Sequence, residues 1–378
     1  MPDTTTPLAE RLTAHAVLVR DPAVPGVAAD YWEASEPHYR TVDGLLSGFV
    51  TGDAAAAYRA LCADPTSPSA QRELTRRLRA ADCSPLAAAV AEADRHIWID
   101  YHLGADHDPA APAVSLVPRT TARPGPAAAD IVIPFRDREG GGLRTRNLLA
   151  CLTALADQEP DGPAHRVTVV ETDDRPRSRE LLEPLVDAYV FAEKPGLFNK
   201  SWAVNVGSRQ VDSPWLCILD ADILVDRSFV RRNVERLAGG THGTHLPFRW
   251  SLSLDEPSSL YALRARTVLG AAEVSASALR GLLLREPPGG CVWVRNDVFR
   301  QVGGFDERFE GWDGEDDDVV ARLGAAAPVV RYEDTLLHLD HPRPAMTRDD
   351  GVPFNAHIEP LSWAPPEGGY GDPYAYRQ

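Results

Sequence analysis

The chain has 378 residues, 44 % hydrophobic and 25 % charged, with a formal net charge of −16. At roughly 150 residues per domain, that suggests two domains or one large domain with an addition, and enough chain to bury a core without disulfide or metal staples. The acid excess argues against bulk binding to nucleic acid or acidic lipid, and the ordinary composition excludes wholesale disorder.

The N-terminus, MPDTTTPLAERL, has no basic segment followed by an apolar stretch. No window approaches the ~18 uninterrupted apolar residues of a membrane span. We expect a soluble, cytoplasmic protein without a transmembrane segment. Residues 1–105 are rich in Ala, Arg and Glu with apolar spacing near the helical period, as in Ala54–Cys62 and Gln71–Ala93, interrupted at Pro85. They read as a small helical domain. His96 and His102 flank an aromatic-rich segment, HIWIDYH, which reads as a turn with structural histidines. Closely spaced prolines make residues 106–128 a linker.

From Asp130 the pattern changes. Asp130–Phe135 (DIVIPF), Arg166–Glu171, Asp187–Ala192 and Trp215–Leu219 read as strands, and a glycine-rich turn follows the first of them. Leu143–Ala156 and Asn199–Gln210 read as helices between them. Alternating strands and helices imply a parallel sheet with crossovers, whose ligands bind beyond the carboxyl ends of the strands. This α/β domain spans 129–345. Residues 346–378 form a proline-rich tail, extended over the domain or partly disordered. Five cysteines are scattered without a CxxC pair; Cys151, Cys217 and Cys291 sit in apolar runs and read as buried reduced thiols. Arginine supplies nearly all the cations, since Lys194 and Lys200 are the two lysines.

Three clusters carry chemistry. Asp220-Ala221-Asp222 follows the apolar run WLCIL and precedes Ile223-Leu224-Val225. Two carboxylates at a strand end face one side if the chain stays extended, and can share a hard divalent cation whose open positions suit a diphosphate. A DxD is also common in solvated turns. The run Gly303–Asp318, GGFDERFEGWDGEDDD, places eight carboxylates beside one arginine. Glu315 and Asp316 precede an apolar helical pattern, so they belong in a helix's first turn, where its dipole favours anions. A plain acidic cap would look the same, but Trp312 beside the acids is typical sugar-binding equipment. Third, His338-Leu339-Asp340-His341 follows an apolar run. Two imidazoles three apart are either loop histidines or ligands; joined to the DxD they give a mixed O/N shell that favours Mn²⁺ over Mg²⁺.

In order along the chain, these stretches resemble the GT-A fold nucleotide-sugar glycosyltransferases, in particular the beta-1,4-galactosyltransferase family and its bacterial relatives. Ile133-Pro134-Phe135-Arg136-Asp137-Arg138 is similar to the family's IPFRxR strand end. Phe198-Asn199-Lys200 with Asn205-Val206-Gly207 resembles its FNR…NVG helix. Gly289-Gly290 and Gly303-Gly304-Phe305 look like its glycine pair and NGF-type turn. Gly311–Asp318 is nearly its GWGGEDDD, departing at Asp313, and His338-x-x-His341 stands where the family has Met-x-x-His. The match covers residues 130–345.

The resemblance implies a Rossmann-like, mostly parallel sheet with helices on both faces, beside the small N-terminal helical domain. It implies a metal-dependent, inverting transfer of a hexose or N-acetylhexosamine from a UDP-sugar of the UDP-Gal or UDP-GalNAc type. The acceptor would be a hydroxyl of a glycan or small molecule. Asp222, His341 and His338 would hold Mn²⁺ or Mg²⁺. Arg136 and Arg138 would contact the nucleotide diphosphate. Glu171 would take uracil or ribose hydrogen bonds, with Asp173 and Asp174 as competitors. Asp220 would touch the donor sugar or ribose. Pro134, Phe135, Phe198, Lys200 and Ala221 would complete the donor site, and Gly289 and Gly290 would let the backbone approach the sugar. Asp316 would be the general base, with Trp312, Glu315 and Asp317 orienting the acceptor. Other readings are a sugar-phosphate nucleotidyltransferase, which usually needs a lysine-bearing glycine loop absent here, and a non-catalytic nucleotide-sugar or glycan-binding protein.

Overall fold

The structure, a computed structural model, describes residues 7–105, 107, 126–138 and 142–377. Most of the linker expected at 106–128, and most of the glycine-rich turn expected after Phe135, lie outside the described residues. Helices α1 (Leu8–Leu18), α2 (Ala29–Phe49), α3 (Gly52–Ala63), α4 (Pro68–Ala80) and α5 (Ala87–Ala93) precede strand β1 (Ile99–His102). Then follow β2 (Ala129–Phe135), α6 (Leu143–Ala156), β3 (His165–Asp173), α7 (Arg179–Leu182) and β4 (Ala188–Glu193). Next come α8 (Lys200–Ser208), β5 (Trp215–Leu219), α9 (Phe229–Gly239), β6 (Thr244–Leu254), α10 (Glu256–Leu263) and β7 (Gly281–Arg285). Last are β8 (Cys291–Arg295), α11 (Asn296–Gln301), α12 (Glu315–Ala326) and β9 (Val329–His338). No helix among the described residues is long and apolar enough to cross a membrane.

The chain divides into two compact units. One is Met1–Ala111 with Trp250–Ser259 and Ser275–Pro287. Its helices α1 to α5 bury Leu12, Val17, Leu46, Leu61, Leu74 and Leu78 in a common core. The segment read as an aromatic turn becomes a strand in its second half. Ile97 and Ile99 are fully buried, and β1 pairs antiparallel with β7 from Ile99–Leu284 to His102–Gly281. Alternating Ile97, Ile99 and Tyr101 suits a half-buried strand better than a turn. Arg11 is buried between Asp94 and Asp100, which compensate its charge.

The second unit is Pro112–Arg249, Leu260–Val274 and Pro288–Gln378. Every residue of β2 is buried, as its unbroken apolar run requires of a central strand. β2 pairs parallel with β3 and β5, and β3 pairs parallel with β4. Beyond β5 the direction changes: β8 runs antiparallel to β5, with Leu219 opposite Cys291, and the start of β6 runs antiparallel to β8. The mostly parallel sheet of the expectation is therefore a mixed one. This reversal positions the site, because it brings the beginning of β8 to the edge where β2, β3 and β5 end. Helix α8 packs close on that sheet. A Cβ at Gly207 would lie 2.6 Å from Val132 and 2.8 Å from Val170, so only glycine permits the approach. Cys151, Cys217 and Cys291 are buried free thiols.

The tail, residues 342–377, forms no helix or multi-residue strand. It is nonetheless fastened: Trp202 Nε1 donates to Asp372 O at 2.9 Å, and Trp363 Nε1 to Gly303 O at 2.8 Å.

Candidate active site

After Leu219 the chain turns instead of staying extended. Asp220 N donates to Gly290 O at 3.0 Å, and Ile223 N to Asp220 O at 3.3 Å. The two DxD carboxylates therefore do not share one face, as the sequence suggested, but enter two different clusters.

Asp222 faces the histidines. Its Oδ2 lies 2.9 Å from His341 Nε2, and its Oδ1 lies 3.5 Å from His338 Nε2. One ligand atom from each of the three residues falls within 4.8 Å of the others. The geometry comes from β9, whose last residue, His338, bridges to Ile223, while Leu339 N donates to Asp222 O at 2.9 Å. His341 Nδ1 donates to Pro342 O at 2.9 Å, and its Nε2 donates to Asp222 Oδ2; burial opposes the imidazolium, but Asp222 raises the His341 pKa above the ordinary value. Burial, opposed by Asp222, pushes His338 down to about 4, so its imidazole is neutral at pH 7. Burial disfavours the charge of Asp222, yet the two imidazoles and Arg144 hold its carboxyl far below the ordinary range. Asp222 Oδ1 is buried without a hydrogen-bond partner. An orphaned carboxylate oxygen with two imidazole nitrogens beside it, each able to offer a lone pair once deprotonated, is a donor set that fits a divalent cation such as Mn²⁺.

Asp220 faces Lys200, the first residue of α8. Asn199 caps that helix, its side chain accepting from Trp202 N at 2.7 Å. Lys200 Nζ lies 3.1 Å from Asp220 Oδ1, 3.7 Å from Glu315 Oε1 and 2.7 Å from Asp316 Oδ2. Burial works against the ammonium, but the three carboxylates hold its pKa well above the ordinary lysine value. Burial pushes the Asp220 carboxyl up to about 6; Lys200 pulls it down, and Asp316 and Asp222 push it further up. Burial and Asp316 likewise push Glu315 up to about 7. Gly289 abuts this cluster: a Cβ there would sit 2.1 Å from Asp316 Oδ2. Gly290 has φ +95°, and a Cβ there would meet Leu336 at 2.7 Å. The resemblance gave Lys200 to the donor; the structure sets it against the two acids at the start of α12.

The ends of β2 and β3 carry a third cluster. Pro134 and Phe135 are buried within the sheet. Arg136 and Arg138 both donate to Gly196 O, at 2.6 and 3.0 Å, and Arg138 Nε donates to Asp173 Oδ1 at 2.5 Å. Arg177 Nε joins them on Asp173 Oδ2 at 2.8 Å. Glu171, expected at the uracil or ribose, is fully buried. Its carboxylate accepts from Tyr189 Oη, from Arg177 N at 3.0 Å and from Ser178 N at 3.2 Å. It faces inward because β3 continues to Asp173, two residues beyond the strand end read from sequence, and so its role is to hold the 174–178 loop. Phe198 is half-buried, and its carbonyl accepts from Gly311 N at 2.7 Å.

The acidic run divides among partners. Asp306 pairs with Arg308, Glu310 with Lys194 and Asp318 with Arg322. Glu307 accepts from Asn205 at 2.8 Å and Gly371 N at 2.6 Å. Glu315 and Asp316 are left for Lys200, while Asp317 is exposed and Trp312 half-buried. Asp313, where the family pattern has glycine, adopts φ +77°. Its Oδ1 accepts from Gly314 N at 2.9 Å, the local bond that lets aspartate tolerate a left-handed conformation. Asn355 of the tail organises this loop, donating to Trp312 O and Asp313 O at 2.9 and 2.7 Å and accepting from Glu310 N at 3.1 Å. Nothing in the tail's composition signalled that role. Beside the loop lies a cavity of about 870 Å³ lined in part by Leu197, Glu310, Phe354, Asn355 and His357.

Residues 130–303 match the family model described as glycosyl transferase family 2, and residues 283–341 match one described as the N-terminal domain of galactosyltransferase. No curated protein matches the chain. Among solved structures, S. aureus TarS 1–349 is 11 % identical with a TM-score of 0.39, over 56 % of this chain and 60 % of that one. A mutant of Drosophila beta-1,4-galactosyltransferase 7 in complex with manganese, UDP-Gal and xylobiose is 19 % identical, with a TM-score of 0.35, over 57 % and 71 %. The mannosyltransferase PcManGT from Pyrobaculum calidifontis, in complex with GDP-Man and Mn²⁺, is 17 % identical, with a TM-score of 0.37, over 62 % of each chain. The chain thus spans about 60 % of the length of TarS 1–349. Two glycosyltransferase family models meet on residues 130–341, where the ordered motifs stand, and the fold of that region is the GT-A α/β fold.

Proposed function

We propose that the chain is a metal-dependent, inverting glycosyltransferase that moves a hexose or N-acetylhexosamine from a UDP-sugar of the UDP-Gal or UDP-GalNAc type to a hydroxyl of a glycan or small-molecule acceptor. The observation that carries this reading is the pairing of two clusters through one tripeptide: Asp222 with His338 and His341, and Asp220 with Lys200 and Asp316. A divalent cation, Mn²⁺ or Mg²⁺, held by Asp222, His338 and His341 would neutralise charge on the departing diphosphate. Asp316 takes the proton of the acceptor hydroxyl as that oxygen attacks the anomeric carbon from the face opposite the diphosphate. Lys200, donating to Asp316 Oδ2, orients that carboxylate. Asp220, Ala221, Gly289 and Gly290 shape the place of the donor sugar, and Trp312, Glu315 and Asp317 face the acceptor. Arg136, Arg138 and Phe198 frame the nucleotide. In this reading the catalytic residues lie between 129 and 345, 1–105 supply the helices of the first unit, to which Trp250–Ser259 and Ser275–Pro287 also belong, and the tail from 346 is the strap of the second.

The test is to incubate the full chain with Mn²⁺ and a panel of nucleotide sugars and follow nucleoside diphosphate release. Release that needs the cation and falls in Asp316→Asn is the expected result. Pyrophosphate release would indicate a nucleotidyltransferase. Nucleotide-sugar binding without turnover, unchanged in Asp316→Asn, would indicate a binding protein.

A further inference from the structure

We infer that Arg144, in the first turn of α6, takes the phosphates of the nucleoside-diphosphate sugar beside the Asp222–His338–His341 cluster. The inference rests on the glycosyltransferase reading and adds to it a residue outside the motifs that carry the resemblance.

Arg144 Nη2 donates to Pro342 O at 2.8 Å, the same oxygen that His341 Nδ1 approaches at 2.9 Å. Guanidinium and ligand imidazole therefore meet at one carbonyl. The first turn of α6 is held there by two further bonds, from Asn147 Nδ2 and Arg146 Nη2 to Asp340 O at 3.0 and 3.2 Å. Among the described residues Arg144 donates to Pro342 O alone, and no carboxylate oxygen lies within 4.0 Å of it. A guanidinium carries five N–H donors in a fork that matches phosphate oxygens, so most of this one remains open, and the side chain is half-buried.

The arginines named by the resemblance are placed differently. Arg136 and Arg138 converge with Arg177 on Asp173, and both also bind Gly196 O. They thus have a carboxylate within 4.0 Å, one that three guanidiniums share. Arg144 has no such carboxylate among the described residues. Arg144 acts on the charge of Asp222, and a divalent cation on Asp222 would over-compensate that carboxylate. Asp137 already caps the amino end of α6, accepting from Thr145 N at 3.1 Å, so the added positive charge beside the cation is that of Arg144, and together they call for an anion of two or more charges. A diphosphate supplies it.

The experiment uses the full chain with UDP as the probe, titrated calorimetrically in the presence of Mn²⁺, and Mn²⁺ alone followed by electron paramagnetic resonance. Arg144→Gln should weaken UDP by about tenfold or more, as expected for a charge-assisted bond, while Mn²⁺ affinity stays within about twofold. Arg144→Lys, which keeps the charge, should recover part of the loss. UDP affinity unchanged in Arg144→Gln would overturn the assignment. So would a parallel fall in Mn²⁺ affinity without nucleotide, which would reduce Arg144 to a tie on Pro342. A wild-type chain that binds Mn²⁺ but not UDP would overturn the UDP-sugar reading, and the assignment with it.

Discussion

Asp220 and Asp222 stand two residues apart in one turn, yet their surroundings are opposite. Asp222 meets two imidazoles, and their charge, a hydrogen bond from His341 and the charge of Arg144 hold its carboxyl far down against burial. Asp220 meets an ammonium and two further acids, and burial among them pushes it up to about 6. The first corner holds one carboxylate ionised and has an orphaned oxygen; the second is crowded with carboxylates around one lysine. In the proposed reading one side chain faces the cation and its twin the lysine beside the base, and what separates them is the turn after Leu219, where Asp220 N donates to Gly290 O.

If the lysine corner handles the proton and the histidine corner the cation, each can be broken alone. Asp316→Asn removes the base while keeping shape. Turnover should fall by roughly 10²–10⁴, with UDP affinity in Mn²⁺ unchanged within about threefold; an equal loss in affinity would merge the two corners into one. Asp222→Ala should do the reverse, reducing Mn²⁺ affinity by more than about 100-fold as read by electron paramagnetic resonance without nucleotide. Retention of Mn²⁺ by that variant would remove the histidine corner from the metal reading.

A smaller effect sharpens the description of the lysine corner. The carboxyl of Glu315 rises from the ordinary 4.5 to about 7, because of burial first and Asp316 second. The folded chain therefore keeps a proton that the unfolded chain releases from about pH 4.5 upward. This side chain's contribution to stability is full below that pH and is lost as pH rises through 7. In EDTA, Glu315→Gln should raise Tm by about 2–4 °C at pH 8, and the gain should vanish near pH 4. A gain independent of pH would mean that packing, not charge crowding, governs this corner.

The sequence made much of this legible, and the reasons are local. DIVIPF reads as a central strand because its apolar run has no polar alternation, and α6 begins and ends at Leu143 and Ala156 as its spacing predicts. The ordered motifs place the acids, histidines and glycines in one region because each type has few physical uses at a strand end. What remained hidden depends on side-chain direction. Two carboxylates in a DxD share a face only in extended chain, and the turn after Leu219 follows from antiparallel β8, whose direction no residue of β5 encodes. Glu171 looked exposed at a strand end because β3 runs two residues further than its apolar run. The tail was hidden for another reason: Asn355 acts through backbone carbonyls of the Trp312 loop, and such contacts leave no compositional trace.

The smallest effect concerns the loop between the two acidic residues and the tail. Asp313 stands at φ +77° where the family pattern has glycine. Asp313→Gly would relieve left-handed strain of about 1–2 kcal/mol. It would also remove the bond from Gly314 N, worth about 1 kcal/mol, and loosen the unfolded chain at a cost of about 0.4–1 kcal/mol. These terms nearly cancel, so stability should change by less than about 1 kcal/mol, and turnover should stay as it is because Asn355 still holds the loop through the residue 313 carbonyl. Asp313→Val keeps the strain and loses the bond, and β-branching makes that backbone conformation worse, so it should melt several degrees lower. A tenfold loss of turnover in Asp313→Gly at unchanged Tm would instead assign this carboxylate to the acceptor, and enlarge the lysine corner by one acid.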